Sequence, residues 1–315
     1  MSRQVPRLAI VVPCFNEEAA LPASAERLIT YLEAAIGSGR LAHDSAIYFV
    51  DDGSTDATWS QIEALASGGR RCHGIKLSRN LGHQNALLAR LLTVEGEAVI
   101  SIDADLQDDV SAMDGMIAAF SAGAEVVFGV RRGRQVDSWF KRVTAEGYYR
   151  VAAIMGVRLV FNHADYRLLG RRAVEALRSF GESNLFLRGI IPQLGFNTAV
   201  VYYDRGERIA GESKYPIRKM LALAFDGVTS FSATPLRWIT LLGMIVAFGS
   251  FGTALWALWV RTFNPAAMPG WASTVIPMYF LGGIQLLCTG IIGQYLAKVY
   301  LETKHRPRFI IEKQV

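Results

Sequence analysis

The first part of the chain alternates short apolar runs with longer segments of helical periodicity. The apolar runs predict four buried strands, at Leu8–Val12, Ala46–Val50, Gly74–Leu77 and from Ala98 onward. Helical patterns follow them, the first over about Leu21–Ile36 and the fourth over Val110–Phe120. Strands that alternate with helices in this order are typical of a parallel sheet with right-handed crossover connections. The pattern predicts an α/β fold, with Pro13 ending the first strand.

Acidic residues follow the carboxyl ends of three of these predicted strands. They are Glu17, Asp51 with Asp52, and Asp103 with Asp105. Open α/β sheets bind ligands at the carboxyl ends of their strands, so these acids are expected on one rim of the sheet. If the chain stays extended after Ala98, Asp103 and Asp105 point to the same face. Two carboxylates there would supply oxygen ligands for Mg²⁺ or Mn²⁺.

A simpler explanation of the acids in Asp103–Asp109 is that they cap the following helix, because Asp is a favoured N-cap residue. We accept capping for Asp108 or Asp109, and it stays open as an alternative for the Asp103/Asp105 pair. The chain contains neither G-x-G-x-x-G nor G-x-x-x-x-G-K-[ST]. A pyrophosphate is therefore expected to be held by a metal and basic side chains.

The pattern after the fourth helix is more mixed. Glu125–Val130 predicts a strand, and a helix is expected from about Ser138 to Met155. Ala164–Arg167 precedes a short helix, and the alternation in Asn197–Asp204 predicts a half-exposed strand. The charged, glycine-containing segment Gly206–Pro216 is expected to form a loop over the site.

The C-terminal part of the chain holds two long uncharged segments. No Asp, Glu, Lys, Arg or His occurs in 238–260 or in 262–297. A transmembrane helix needs about 20 apolar residues, so spans are predicted over Leu236–Val260 and Thr274–Ala297. Two buried core helices are the alternative, which the uncharged lengths disfavour. The 51% hydrophobic content agrees with a membrane protein.

Charge and periodicity around these segments predict how the chain meets the membrane. Apolar spacing in Ile217–Phe231 indicates an amphipathic helix at the membrane surface, with an ordinary domain-capping helix as the alternative. Basic residues concentrate outside the predicted hairpin, whereas Arg261 stands alone in its loop. They are Arg218, Lys219 and Arg237 before it, and Lys298, Lys304, Arg306 and Arg308 after it. Both termini are therefore expected in the cytoplasm.

Cysteine usage and net charge narrow the class of protein further. Cys14, Cys72 and Cys288 lack metal-ligand or redox spacing, and no N-terminal signal peptide is evident. These features predict reduced thiols and a cytosolic soluble part. The net charge of +5 is too small to imply a nucleic-acid partner.

Four polar segments at the predicted strand ends resemble, in order and spacing, those of family-2 glycosyltransferases with the glycosyltransferase-A fold. They are Val12–Glu18, Val50–Asp56, Leu77–Gly82 and Asp103–Asp108. Three further segments resemble polyprenyl-phosphate glycosyltransferases that act on undecaprenyl phosphate, namely Gly211–Tyr215, Tyr300–Glu302 and Arg306–Arg308. Arg237 and Trp238 are present, but Thr234 breaks a QxxRW motif, which disfavours the processive polysaccharide synthases.

The resemblance implies roles for individual residues. Residues that would line the base and ribose of a nucleotide are Pro13, Asn16, Glu17 and Asp52. Asp103 and Asp105 match the D-x-D metal site, with Gln107 beside it. Arg131 and Arg142 match positions that hold phosphate, and Lys214 matches the residue in the loop over the site. A solvated basic surface is the alternative for both arginines.

Asp165 matches the carboxylate that stands near the acceptor in this family, with Arg167 two residues further on. The match departs at Asn162–Ala164, where many relatives have a glycine immediately before the acid. His163 is expected to pack or hydrogen-bond rather than to act in catalysis.

The function implied is metal-dependent transfer of a hexose, with UDP-glucose as the expected donor, to undecaprenyl phosphate at the inner membrane. A dolichol-phosphate-mannose type of transferase using a GDP-sugar and a catalytically idle lipid-carrier scaffold are the alternatives, and homo-oligomerisation stays open. The implied architecture is a glycosyltransferase-A, doubly wound mixed-sheet domain and a two-helix hairpin. Its segments are a catalytic domain over 1–212, an interfacial region over 213–234, two spans within 235–298 and a cytoplasmic tail over 299–315.

Overall fold

The computed structural model describes residues 5–93, 96–105, 107–132, 163–181, 187–204, 232–263 and 270–315. These residues form two compact units. The first contains the described residues up to 204 together with 306–315, and the second contains 232–263 and 270–305. Several predicted features lie outside the described residues: Arg142, Lys214, the helix at 138–155, the loop at 206–216 and the amphipathic helix at 217–231.

The first unit is built on a mixed sheet, which confirms the predicted α/β class. Its strands among the described residues are β1 (Leu8–Cys14), β2 (Ala46–Asp51), β3 (Cys72–Leu77), β4 (Ala98–Ser101), β5 (Val126–Arg131), β6 (His163–Gly170), β7 (Thr198–Tyr203) and β8 (Ile311–Gln314). Their order is β7-β5-β6-β4-β1-β2-β3-β8. Parallel pairing joins β4, β1, β2 and β3, whereas β6 runs antiparallel to both β4 and β5.

Helices cover this sheet and bury its apolar faces. They are α1 (Leu21–Gly37), α2 (Thr58–Ser67), α3 (His83–Leu91), α4 (Ala112–Ser121), α5 (Arg171–Arg178) and the short α6 (Leu187–Ile190), which runs into a 3-10 turn at Ile191–Leu194. Every residue of β1 and β2 is buried, as expected for parallel strands covered on both faces. Leu28 and Leu32 of α1 lie with Ile10 and Phe49 in one core cluster.

Pro13 does not end the first strand but lies inside it, opposite Val50 of β2. Val11 uses its carbonyl to accept the N–H of Ile102, and alternate residues of a strand face the same neighbour. Pro13 therefore faces the side where pairing with β4 has already ended at Ser101. Its missing N–H costs the sheet no ladder hydrogen bond, which is why a proline is tolerated there.

Two strands were not predicted from the sequence. The segment Ala164–Arg167 belongs to β6, which lies between β4 and β5 in the middle of the sheet. Strand β8 comes from the C-terminus and pairs antiparallel with β3 at the edge of the sheet. The end of the chain is therefore part of the first unit, and Val315 exchanges backbone hydrogen bonds with Gly74.

The second unit contains two long apolar helices, α7 (Thr234–Phe263) and α8 (Trp271–Thr303). Both predicted spans fall within them, and each helix has a stretch long and apolar enough to cross a membrane. Large apolar side chains such as Phe248 and Leu286 are exposed, at 75% and 76%. An apolar surface of this kind on a helix is typical of contact with lipid or with another protein.

Candidate active site at the carboxyl ends of the strands

The D-x-D residues lie in a turn directly after β4. The strand ends at Ser101, the last ladder bond is made by Ile102, and the chain turns at Ala104 and Asp105. The condition for Asp103 and Asp105 to share one face, that the chain stays extended as far as Asp105, is therefore not met. The turn forms because Ala104 packs into the core and its carbonyl accepts the Ser24 hydroxyl. Both carboxylates still stand at the rim where ligands bind in such sheets.

The donor set around Asp103 fits a divalent cation. Among the described residues, no group of three or more His, Cys, Asp or Glu side chains is placed to hold a metal. Mg²⁺ commonly takes one or two protein carboxylates and completes its shell with phosphate oxygens and water. Burial raises the pKa of Asp103, His83 lowers it, and the nearby carboxylates of Asp165, Asp108 and Asp105 raise it further. A cation would relieve this crowding of negative charge.

Asn16 and Glu17, predicted on the nucleotide side, tie the loop after β1 to the loop after β2. The backbone N–H of Asn16 donates to Ser54 Oγ at 2.9 Å, and Asn16 Oδ1 accepts the N–H of Thr55 at 2.9 Å. Asn16 has a φ of 54°, in the left-handed region that Asn tolerates better than most residues. The N–H of Glu17 donates to Thr58 Oγ1 at 2.9 Å. These contacts fix the shape of the rim beside β1 and β2.

Asp52 connects the same rim to a third loop. Its carboxylate is buried, and its two oxygens accept the backbone N–H groups of Leu81 and Gly82 at 2.8 Å each. The neighbouring Gly53 has a φ of 69°, and a Cβ there would lie 2.6 Å from the backbone carbon of Arg79. The loop after β3 thus packs directly against the loop after β2, and only glycine leaves room for it.

Arg131, the last residue of β5, forms an ion pair with Asp108. Its Nε and Nη2 donate to Asp108 Oδ1 at 3.2 and 3.0 Å, and the Tyr203 hydroxyl donates to the same oxygen at 2.6 Å. Asp108 is therefore a buried ion-pair partner and not a helix cap. Asp109 makes the local turn instead, since its Oδ1 accepts the N–H of Ser111 at 2.9 Å.

Asp165 lies on β6 and is the centre of a charged cluster. It contacts the buried guanidinium of Arg167, and it accepts from Nε and Nη2 of Arg188 at 3.2 and 3.0 Å. Burial alone would raise the pKa of Asp165, but Arg167 and Arg188 outweigh it and hold the pKa well below its usual range. Asp165 is therefore an ionised carboxylate at neutral pH, and a poor proton acceptor.

His83 brings Asp103 and Asp165 together. Its Nε2 lies 3.5 Å from Asp103 Oδ1 and 3.7 Å from Asp165 Oδ2. It occupies the first position of α3, directly after the loop that Asp52 holds. Gln107, predicted beside the metal, is buried, and its backbone N–H donates to Asp105 Oδ1 at 3.2 Å.

Sequence analysis did not identify His83 or Arg188 as site residues. His83 follows the segment Leu77–Gly82 directly, and this position after a strand end was a usable signal. No pattern distinguishes Arg188 from the other arginines, because its partner Asp165 lies 23 residues away in the chain.

Comparison with known proteins gives consistent matches over the whole chain. The profile of glycosyl transferase family 2 matches residues 9–178. A protein of Bacillus subtilis (strain 168), named uncharacterized glycosyltransferase YkoT, is 46% identical over 99% of this chain and 93% of its own. The bactoprenol glucosyl transferase of Shigella phage SfV is 38% identical, covering 98% of this chain and 99% of its own.

Two further matches are a relative with similar sequence and a solved structure with low sequence identity. The prophage bactoprenol glucosyl transferase homolog of Escherichia coli (strain K12) is 37% identical over 98% of this chain and 99% of its own. A crystal structure of glucosyl-3-phosphoglycerate synthase from Mycobacterium tuberculosis covers 71% of this chain and 76% of its own, with 19% identity and a TM-score of 0.47. That likeness is too distant to transfer a ligand to this chain.

Proposed function

Because the chain belongs to glycosyl transferase family 2 and is a glycosyltransferase, we propose that it moves one sugar from a nucleoside diphosphate sugar to a polyprenyl phosphate. The relatives named bactoprenol glucosyl transferase align over nearly the full chain, including both long apolar helices. Their names support a bactoprenol-linked acceptor and glucose as the sugar. Undecaprenyl phosphate is the proposed acceptor and UDP-glucose the proposed donor. The structural observation that carries the proposal is the gathering of Asp103, His83 and Asp165 at one rim, with His83 Nε2 3.5 Å from Asp103 and 3.7 Å from Asp165.

The reaction is an in-line displacement at the anomeric carbon. A lipid phosphate oxygen forms the new bond to this carbon, the bond to the nucleotide diphosphate breaks, and its electron pair leaves with the diphosphate. A phosphate monoester has a second pKa near 6, so most of the acceptor is already a dianion at about pH 7. The nucleophile therefore needs no general base, which suits the low pKa of Asp165.

Asp103 and Asp105 are proposed to hold Mg²⁺ or Mn²⁺. When bound, the cation neutralises negative charge that develops on the leaving diphosphate. Pro13, Asn16, Glu17, Asp52 and Gln107 are proposed to line the nucleotide. The hydrogen bonds that join the loops after β1, β2 and β3 support this role, because they pre-form the rim. Residues proposed to contact phosphate or cover the site are Arg131, Arg142 and Lys214.

We further propose that the protein is anchored in the cytoplasmic membrane by the hairpin of α7 and α8. After α8 the chain returns to the first unit and adds β8 to its sheet, so the number of membrane crossings between 204 and 311 is even. Basic residues flank the hairpin on this side, which favours a cytosolic catalytic unit and cytosolic termini. We propose a catalytic domain over 1–212, an interfacial region over 213–234, two spans within 235–298 and a cytoplasmic tail over 299–315. Strand β8 of this tail belongs to the catalytic sheet.

The test is incubation of the purified full chain with undecaprenyl phosphate, Mg²⁺ and a panel of labelled nucleotide sugars. The expected result is one labelled lipid, formed from UDP-glucose. Labelling from GDP-mannose alone would favour the dolichol-phosphate-mannose type of transferase. UDP binding without transfer from any donor would favour the non-catalytic scaffold and contradict the proposal.

A further inference from the structure

Asp165 has two arginine partners, although one would neutralise it. Arg167 follows it on β6, its side chain is only 1% exposed, and it contacts Asp165 Oδ1. A buried carboxylate needs one such partner to offset the cost of leaving water. Arg167 already supplies a buried positive charge beside Asp165, and Arg188 adds a second one whose side chain is 40% exposed.

The contacts of Arg188 orient its guanidinium at the edge of the site. Nε and Nη2 donate to separate oxygens of Asp165, in the two-point geometry that fixes the plane of an arginine. The short helix α6 that carries it is anchored, since Leu187 and Ile190 are fully buried. The N–H of Leu187 also donates to Gln84 Oε1 at 2.8 Å, next to His83 in α3.

Arg131 offers an instructive contrast. Its partner Asp108 is 1% exposed, while the arginine is 26% exposed. Asp108 has this arginine as its cation and would be left as a buried charge without it. Arg131 thus has a structural role beside the phosphate contact proposed above, whereas Arg188 is more exposed and pairs with a carboxylate that already has a buried cation.

Arg188 also lies close to the proposed metal site without belonging to it. Three contacts connect it to Asp103: 3.0 Å to Asp165, 3.7 Å from Asp165 to His83 and 3.5 Å from His83 to Asp103. In an in-line displacement the nucleophile and the leaving diphosphate lie on opposite sides of the anomeric carbon. A cation that is separated from Asp103 by Asp165 and His83 is therefore suited to the nucleophile.

We propose that Arg188 binds the phosphate of the polyprenyl phosphate acceptor, and that Asp165 holds the guanidinium in position for it. The planar, always charged guanidinium suits two-point binding of a phosphate. This inference rests on the proposed function. The same chemistry would also suit the donor diphosphate, so the experiment must separate the two phosphates.

The test compares Arg188→Gln and Arg188→Lys with Arg172→Gln. Arg172 is a matched control because it is 72% exposed and its nearest carboxylate, on Glu125, is 3.9 Å away. Measured quantities are the KM for undecaprenyl phosphate, the KM for the sugar nucleotide and the calorimetric affinity for UDP with Mg²⁺. Thermal unfolding of the full chain in detergent checks the fold of each variant.

Arg188→Gln is expected to raise the acceptor KM by about tenfold or more, the usual scale for losing a charged hydrogen bond. UDP affinity and the donor KM should be unchanged, Arg188→Lys should be intermediate, and Arg172→Gln should match wild type. An equal loss of UDP affinity would assign Arg188 to the donor instead. A lower kcat with an unchanged acceptor KM would also overturn the proposal. If the wild type transfers no sugar to the lipid, the proposed function itself fails.

Discussion

Arg188 donates to both carboxylate oxygens of Asp165, at 3.2 and 3.0 Å, across 23 residues of sequence. Together with Arg167 it keeps this carboxylate ionised, because two guanidinium groups outweigh the effect of burial. A carboxylate in this state is suited to holding cations in place rather than to taking up a proton. The pH dependence of the reaction should reflect that difference.

We expect the wild-type rate to fall on the acidic side of about pH 6, because the acceptor phosphate then gains a proton and loses nucleophilicity. Asp165 contributes no such limb, since its lowered pKa leaves it charged throughout the working range. Asp165→Asn should lower kcat and retain the acidic limb in a pH–rate profile. Disappearance of that limb, or rescue of the variant by azide, would identify Asp165 as a base or nucleophile.

Asp105→Asn is expected to abolish transfer, because it removes a charged ligand from the site that must hold a diphosphate beside a cation. The fold should survive, since Asp105 lies in the turn at the rim. Calorimetry should show that Mg²⁺ strengthens UDP binding to wild type and not to the variant. Full wild-type activity in excess chelator would rule out the metal role.

Gly53→Ala should weaken UDP binding and lower the thermal midpoint. The new Cβ would lie 2.6 Å from the backbone carbon of Arg79 and 2.7 Å from the backbone nitrogen of Asn80, so the loop held by Asp52 must move. Gly39→Ala is the matched control, because Gly39 has a similar φ of 71° with no atom within 4 Å of the added carbon. Its cost should be limited to about 1–2 kcal/mol of backbone strain. Equal effects of the two changes would mean that the loop contact is unimportant.

Labelling of introduced cysteines tests the membrane orientation. A cysteine at Ser273 should react with a membrane-impermeant reagent in intact cells, because it directly precedes the second predicted span on the side opposite the basic flanks. A cysteine at Ser2 should react only after permeabilisation. The reverse pattern would place the catalytic unit outside the cytoplasm.

The strands β1, β2 and β4 were predictable because each is a largely apolar run whose residues are all buried. Strand β6 was missed because Asp165 and Arg167 interrupt its apolar pattern. Both are nevertheless buried, because Asp165 pairs with Arg167 and also with Arg188. A linear pattern cannot reveal such compensation.

Strand β8 was missed for a different reason. Most of its residues are exposed, so it has little apolar signal, and it forms because the edge of β3 is available to pair with it. Lys76 of β3 and Glu312 of β8 are 236 residues apart in sequence, yet Lys76 Nζ lies 3.4 Å from Glu312 Oε1. The common location of Glu17, Asp52 and Asp103 at one rim was easier to predict. The carboxyl ends of adjacent parallel strands lie at the same edge of a sheet, and this does not depend on which side chains are in contact.

The most direct test of lipid phosphate glycosylation measures UDP release from UDP-glucose by the full chain with Mg²⁺, alongside recovery of the labelled lipid. Undecaprenyl phosphate and undecaprenol, which lacks the phosphate, are compared as acceptors. We predict that UDP release requires undecaprenyl phosphate and equals the amount of glucosylated lipid, while undecaprenol gives neither. UDP release that is the same with and without the phosphorylated lipid, or glucosylation of undecaprenol, would contradict the account.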